Sequence, residues 1–541
     1  MQITDNIKKI IKNLSWTERY DIFAFIVLIS GIIYSPFLFT VGLVLMALRI
    51  LFIGKIKDKI ISFKENRKVM IFLLSIYILN IIGLLWTENI SHGLFELNHK
   101  LPFLIIPLFA LCACPLKKTA TNIVFTVYVS LITIGILIGI THYLIDPYAD
   151  NRVLIPTARN ISFAFHICFA VSVMLITAYR NSHLRKLLLP LTLLFCSYLF
   201  VSSLISGIIT LSILGFIGFV IVLKKKNIAY SIVTVLLAVI LISCSAYWLY
   251  KQYNDFFTPK EELTIHTDEK TASGNDYMHV NDSSIENGYY VNKYICPEEV
   301  EQAWLNKTGV SLNDYPPSKQ GIENYRYADI IYRYLNSKGL RKDAEGVNKL
   351  TQKDIENIQM GYSNYVYAER FSLRPRLYQT FYEFERYLRT GEVDDMSIIQ
   401  RYFWSKNAIN IVKQHFFFGC GTGDTRDCLI APVIDRHPEL CTTGCNPHNQ
   451  IIYIMTAFGL LGLVFMLLYF LYLPVRLNLF TDKYFTAFFV IAICWSFAES
   501  SFESYEGMTF ISSLMSFFCL SKHNQLDKNN TSCRKQDISA T

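Results

Sequence analysis

Residues 450–473 read QIIYIMTAFGLLGLVFMLLYFLYL, a run with no charged side chain. A helix rising about 1.5 Å per residue needs about 20 apolar residues to cross the bilayer core, and this run supplies them. Apolar and polar positions do not alternate along it, which excludes the strand of a membrane barrel. Working outward, similar runs lie at approximately 20–35, 36–54, 69–86, 101–114, 121–142, 160–179, 187–203, 205–223, 228–249, 484–499 and 505–520. The expectation is an all-α polytopic membrane protein of about twelve spans. The first two runs are joined by almost no loop, from Gly31 to Pro36.

Composition agrees. Of 541 residues, 52% are hydrophobic and 17% charged, and the mean hydropathy is +0.31. A soluble domain carries about 25% charged residues, so an ordinary soluble enzyme and a disordered chain are excluded. The 13 Cys are an ordinary density for this length and exclude a small disulfide scaffold. The net charge of +8 would suit a nucleic-acid binder, but the basic residues form no single stripe. They cluster in every second loop: Lys8, Lys9 and Lys12, then Lys55 to Lys68, Lys117 and Lys118, Arg180 to Lys186, Lys224 to Lys226, Arg476 and Lys483, and the tail from Lys522. The positive-inside rule then places both termini in the cytoplasm. No small-residue cleavage site follows the first run, so it reads as an uncleaved anchor.

Four divisions follow: an N-terminal membrane bundle of about nine spans at 1–249, a large and mostly helical external segment at 250–449, a C-terminal bundle of about three spans at 450–520, and a cytoplasmic tail at 521–541. The loops at 87–100, 143–159 and 500–504 are external in the same register. About half of the 33 Tyr fall in the large segment. They either stack on sugar rings or form the core of an inserted helical unit. Residues 258–290 are rich in Asp, Glu, Asn, Ser and Thr and read as a loop. No internal repeat is visible.

Walker A, Rossmann, zincin and nucleophile-elbow motifs are absent, as is a metal-spaced carboxylate cluster at a membrane edge. The chemistry concentrates in 401–462. Arg401 and Trp404 open a stretch with helical apolar spacing (Trp404, Ala408, Ile411, Val412). Gly419, Gly421 and Gly423 then allow an irregular turn. Pro447, His448 and Asn449 stand at the mouth of the 450–473 span, and an ionisable group there is a functional candidate. Gly459 and Gly462 read as packing positions, Asp424 as a turn cap, and His92, His99 and His142 as solvated or interfacial groups.

These residues resemble the O-antigen ligase / O-antigen polymerase-like membrane proteins. The ligase signature is His, then Asn, Ser or Gln, nine residues, Gly, two residues and Gly. Here His448 and Asn449 are followed by Gln450 to Phe458, then Gly459 and Gly462. Arg401, Trp404 and the Gly419–Gly423 turn match the stretch upstream of that His, and Lys100 matches a basic position ahead of the fourth span. One departure stands out. Relatives carry a basic residue after Ser at the junction of spans seven and eight, where this chain reads Ser202-Ser203-Leu204. Arg159 or Lys100 is then the substitute cation.

The resemblance implies a glycan moved from undecaprenyl diphosphate to an acceptor hydroxyl, such as that of lipid A–core, at the periplasmic face of a bacterial inner membrane. It implies His448 and Arg401 as catalytic residues, and Asn449, Arg159, Lys100 and Trp404 as substrate-binding ones. No cofactor, metal or nucleic acid is expected. Arg suits a diphosphate because its donors pair with phosphate oxygens, and His448 suits a general base or a binding group. A repeat-unit polymerase, a protein O-glycan ligase and, from another class, a secondary transporter are the alternatives. In an oxidising periplasm Cys420, Cys428, Cys441 and Cys445 are disulfide candidates with three pairings open.

Overall fold

Ser15 starts the first described helix, Trp16–Tyr34, through a capping box with Glu18. Ser35 ends that helix and caps the next, Pro36–Phe52, whose first residue is a proline with no amide hydrogen to satisfy. One residue thus serves as the whole connection, and the two helices pack side by side as a hairpin. At the far end of this pair, Asp21 and Arg49 form a buried ion pair at 2.7 Å. Arg49 also donates to the carbonyls of Ile53 and Cys112, so its charge is matched on three sides.

The computed structural model describes residues 14–113, 118–146, 159–224, 228–260, 269–280, 284–316, 325–393, 396–434, 438–441 and 445–539. Two compact units divide the chain: Met1–Ile145, Asn151–Gly215 and Glu392–Thr541 in the first, Asp146–Asp150 and Phe216–Gly391 in the second. Residues 392–449, grouped on sequence with the external segment, therefore belong to the same unit as most of the apolar helices.

The first unit is helical throughout its described residues. Its core joins Leu28, Ile76, Phe103, Phe165, Phe488, Trp495 and Ile511 in one apolar cluster. The helix Pro102–Ala113 packs against both Pro36–Phe52 and Tyr505–Ser539. Leu193, Phe37 and Phe52 project outward and stay exposed. An apolar core under an apolar surface is what a lipid solvent permits.

Six described helices are long and apolar enough to cross a membrane: Ile90–Ala113, Thr121–Ile145, Asn160–Arg180, Ser182–Val201, Val235–Phe257 and Gln450–Arg476. The number reaches eight if two bent pairs count, Pro36–Phe52 with Ile56–Glu65 (101°) and Arg67–Leu73 with Ser75–Trp86 (55°). This is fewer than the dozen or so read from the sequence, for local reasons. Trp16–Tyr34 carries Glu18, Arg19 and Asp21 near its start. Ile205–Val220 and Lys483–Ala498 are short, and the latter, with 16 residues, spans only about 24 Å. Tyr505–Ser539 runs from apolar into polar sequence. The stretch 87–100, read as a loop, contains the helix Ile90–His99 and joins the following span.

The second unit has its own core. Trp304, Tyr327, Ile331, Tyr334, Leu335 and Ile358 form its largest cluster. Phe256, Val366 and Tyr378 form another. The Tyr residues of this segment are thus largely structural, although Tyr315 and Tyr325 among others remain exposed. Within 258–290 a short ladder pairs Ile285–Glu286 with Tyr289–Tyr290, while 261–268 and 281–283 lie outside the described residues. Lys342 is buried and donates to the carbonyls of Tyr290 and Lys293 and to Asn336 Oδ1. Burial pushes its ammonium down to about 7.

Candidate functional site

Asn449 begins the Gln450–Leu467 helix by accepting from the amides of Ile451 (3.0 Å) and Ile452 (3.1 Å). The preceding turn is stitched to the segment after Ala498. Asn446 Oδ1 accepts from the His448 amide at 2.9 Å and from Ser500 Oγ at 2.5 Å. Gln450 Oε1 accepts from the Phe502 amide at 2.6 Å. Ser405 Oγ donates to the Pro447 carbonyl at 2.8 Å. His448 itself sits at φ +50°, a left-handed conformation that a non-glycine residue holds only where its surroundings impose it.

Its imidazole meets a carboxylate that the sequence reading passed over. His448 Nδ1 lies 2.7 Å from Glu499 Oε2, and Arg401 Nη2 donates to Glu499 Oε1 at 2.5 Å. Arg401 Nη1 also donates to the Ala498 carbonyl at 3.1 Å. Burial alone would raise the Glu499 carboxyl. The hydrogen bond from His448 and the charges of His448 and Arg401 outweigh it, so the group is held below the ordinary glutamate value. A carboxylate on Nδ1 makes that nitrogen the donor and leaves Nε2 to accept a proton. All three side chains are partly exposed.

Glu499 is the first of three acids in 499–506, and each takes one or two of the predicted basic residues. Lys100 Nζ lies 2.5 Å from Glu503 Oε2 and 2.8 Å from the Phe502 carbonyl. Arg159 Nε lies 3.5 Å from Glu506 Oε1, with its guanidinium 5.6 Å from the Tyr505 ring centre. The four basic candidates thus line one short segment. The signal was legible: three Glu within eight residues between two apolar runs must find cations.

Their exposure separates their roles. Lys100 is 3% exposed and fully engaged, so it fixes the 502–503 backbone and does not reach a ligand as it stands. The Arg159 side chain is 65% exposed and loosely held. Trp404 is 1% exposed, so its ring is a core group and not a stacking platform. Asn449 spends its oxygen on the helix cap.

His92 and His99, read from the sequence as solvated or interfacial, are half-buried. His92 Nδ1 lies 2.9 Å from the Gly423 carbonyl. The ligand atoms of Glu96, His99 and Glu503 lie within 4.8 Å of one another, a spacing that a metal ion could bridge. Lys100 Nζ already stands against Glu503, and 3.8 Å from Glu96, so a cation of the chain itself serves these carboxylates.

Below His448 the long helix is broken. Gly459 adopts φ +58°, ψ −145°, a conformation open essentially to glycine alone. The turn after the Ser397–Gln414 helix fills the break. The amides of Cys420 and Gly421 donate to the carbonyls of Thr456 and Ala457 at 2.9 and 2.8 Å. The Leu460 and Leu461 amides donate to Phe416 and Phe417 at 2.7 and 3.2 Å. Gly459 is therefore a backbone requirement, whereas the sequence reading made it a packing position. Asp424, read as a turn cap, makes no side-chain bond to the helix it precedes; its carboxylate instead accepts from the Glu88 and Asn89 amides at 2.7 and 2.8 Å.

The described residues are thus almost all helical, apart from the short Ile285–Glu286 and Tyr289–Tyr290 ladder, with several helices able to cross a membrane and a cluster of paired charges beside a broken helix. No family model matches the chain, and no curated protein is significantly similar to it. Of the four disulfide candidates Cys420 and Cys428 are free thiols, and the side chain of Cys441 lies outside those described.

Proposed function

We propose that the protein is an O-antigen ligase-like glycosyltransferase. It moves a glycan from undecaprenyl diphosphate to an acceptor hydroxyl, that of lipid A–core, on the periplasmic side of the inner membrane. The observation that carries the reading is the Arg401–Glu499–His448 cluster beneath the His-Asn-x9-Gly-x2-Gly stretch. Glu499 orients the imidazole so that Nε2 takes the acceptor's proton as its oxygen attacks the anomeric carbon. The bond from that carbon to the diphosphate breaks, and undecaprenyl diphosphate leaves with the electron pair. Arg401 keeps donors beyond those bound to Glu499 and Ala498 for the departing charge, and Arg159 is the exposed second cation. With one carboxylate engaged by His448 and Arg401 and no second carboxylate nucleophile beside His448 among the described residues, the transfer inverts the anomeric centre.

In this reading the helices cross about twelve times, the shorter ones where the bilayer thins. Residues 250–449 are periplasmic and both termini cytoplasmic. The break at Gly459 invites comparison with transporters, which bind ions at unwound helices. Here the carbonyls of Thr456 and Ala457 already hold amides of the 416–421 turn, which favours transferase over transporter.

The test is a surface-polysaccharide gel of the host, comparing a deletion, its complement and His448→Ala. Loss of the long-chain ladder with accumulation of lipid-linked polymer supports a ligase. A core bearing single repeat units makes the protein a polymerase, and an unchanged gel overturns the lipopolysaccharide reading. With purified components, His448→Ala is expected to slow transfer by about 10²–10⁴-fold.

A further inference from the structure

The helix Ile228–Phe257 has 30 residues and follows the basic run Lys224 to Lys226. A bilayer core takes about 20 of those residues, which brings its far boundary to Tyr247. Tyr247, Trp248 and Tyr250 are exposed there, the aromatic pattern of a membrane–water boundary. The last turns of the helix therefore stand outside the core, and the helix Arg374–Thr390 packs against them. The rings of Phe256 and Tyr378 lie 5.0 Å apart, and those of Tyr253 and Phe381 5.6 Å apart. Tyr253 also donates its hydroxyl to Glu385 Oε1. A step back from 256 to 253 on one helix is thus a step forward from 378 to 385 on the other. The two run antiparallel, and Arg374–Thr390 aims its C-terminal end back at the boundary.

Two apolar side chains at that end have no cover. Phe384 is 40% exposed and Leu388 76%, one turn apart on the same face. Leu388 lies three residues past Glu385, about 4.5 Å along the axis, and three residues before Tyr253 is Tyr250 of the aromatic boundary. Lys251 and Arg389 are exposed near the same level, with the charge that lipid phosphates attract. We propose that Phe384 and Leu388 seat the C-terminal end of Arg374–Thr390 in the external headgroup layer and anchor the inserted unit to the bilayer surface. The occupant of this face is lipid, because the face continues the exposed apolar surface of the span on which its helix packs. The helix enters by its end: Arg374 stands about 21 Å from Leu388 along the axis, and the exposed Phe371 precedes it. Nothing here depends on glycosyl transfer; what it needs is that Ile228–Phe257 crosses the bilayer.

The test places the photo-crosslinking residue p-benzoylphenylalanine at Leu388, Phe384, Phe371 or Tyr247 of the full-length chain. Each protein is reconstituted in vesicles of phosphatidylethanolamine and radiolabelled phosphatidylglycerol, irradiated and stripped of free lipid. The label retained on the protein is expected at Leu388 and Phe384 as at Tyr247 on the span, and is expected to be lost at Phe371. An unlabelled Leu388 beside a labelled Tyr247 would overturn the anchor. So would equal labelling at Phe371, or a crosslink from Leu388 to another segment or a second copy of the chain. Absence of label at Tyr247 would overturn the crossing, and the anchor with it.

Discussion

At the scale of single residues, Glu499 decides what His448 and Arg401 can do. Neither basic group stands alone at the membrane edge. One carboxylate holds both, fixes the imidazole tautomer and positions the guanidinium. Glu499→Gln is expected to slow transfer on the order of 10²–10⁴-fold, because the amide no longer enforces a donor at Nδ1. It also has a pH signature. The folded carboxyl lies below its unfolded value of 4.5. The stability it contributes is present above that value and is lost as the pH falls through the depressed folded one. The thermal midpoint of the wild type should exceed that of Glu499→Gln most above about pH 5, and the gap should close in acid. A gap that does not change with pH would argue against an ionised carboxylate at this position.

At the scale of elements, the broken helix and its inserted turn form one unit of backbone bonding. Four amide–carbonyl bonds between 416–421 and 456–461 replace those the helix gives up. Backbone polar groups at membrane depth need such partners, since lipid offers none. Gly459→Ala asks for a Cβ 2.5 Å from the Phe416 carbonyl, in a conformation side chains avoid. The expected cost is on the order of 1–3 kcal/mol from the backbone alone, and more from the clash. Thermal unfolding in detergent reads the loss. Hydrogen exchange at Leu460 and Leu461 should accelerate with it. A variant as stable as wild type would mean that the break is not held as described.

At the scale of the whole molecule, the proposed topology rests on the apolar runs and the basic loops. Asn348 and Asp58 are both exposed, and the proposed topology assigns Asn348 to the periplasm and Asp58 to the cytoplasm. An impermeant maleimide applied to spheroplasts should label Asn348→Cys and leave Asp58→Cys untouched in a background lacking reactive cysteines. Labelling of Asp58→Cys alone would invert the topology and move His448 to the cytoplasm, where lipid-linked glycan transfer to lipid A–core does not fit.

Read along the chain, apolar spacing placed nearly every long helix, because a run without charges has few folds open to it in lipid. The helix at 397–414 was legible from Trp404, Ala408 and Ile411, all of them buried. Basic residues at loop ends and a His beside a capping Asn marked where chemistry could gather. What the sequence could not say is which acid meets which base. Glu499 lies 98 residues from Arg401 and 51 from His448, and only packing of the helices brings them together. Nor could spacing separate a buried Lys100 from an exposed Arg159, since burial is a property of neighbours. Gly459 looked like a packing residue because helical periodicity continues through it. The tertiary structure alone supplies the turn whose amides and carbonyls let that helix break, since no local pattern records a backbone partner some 40 residues away.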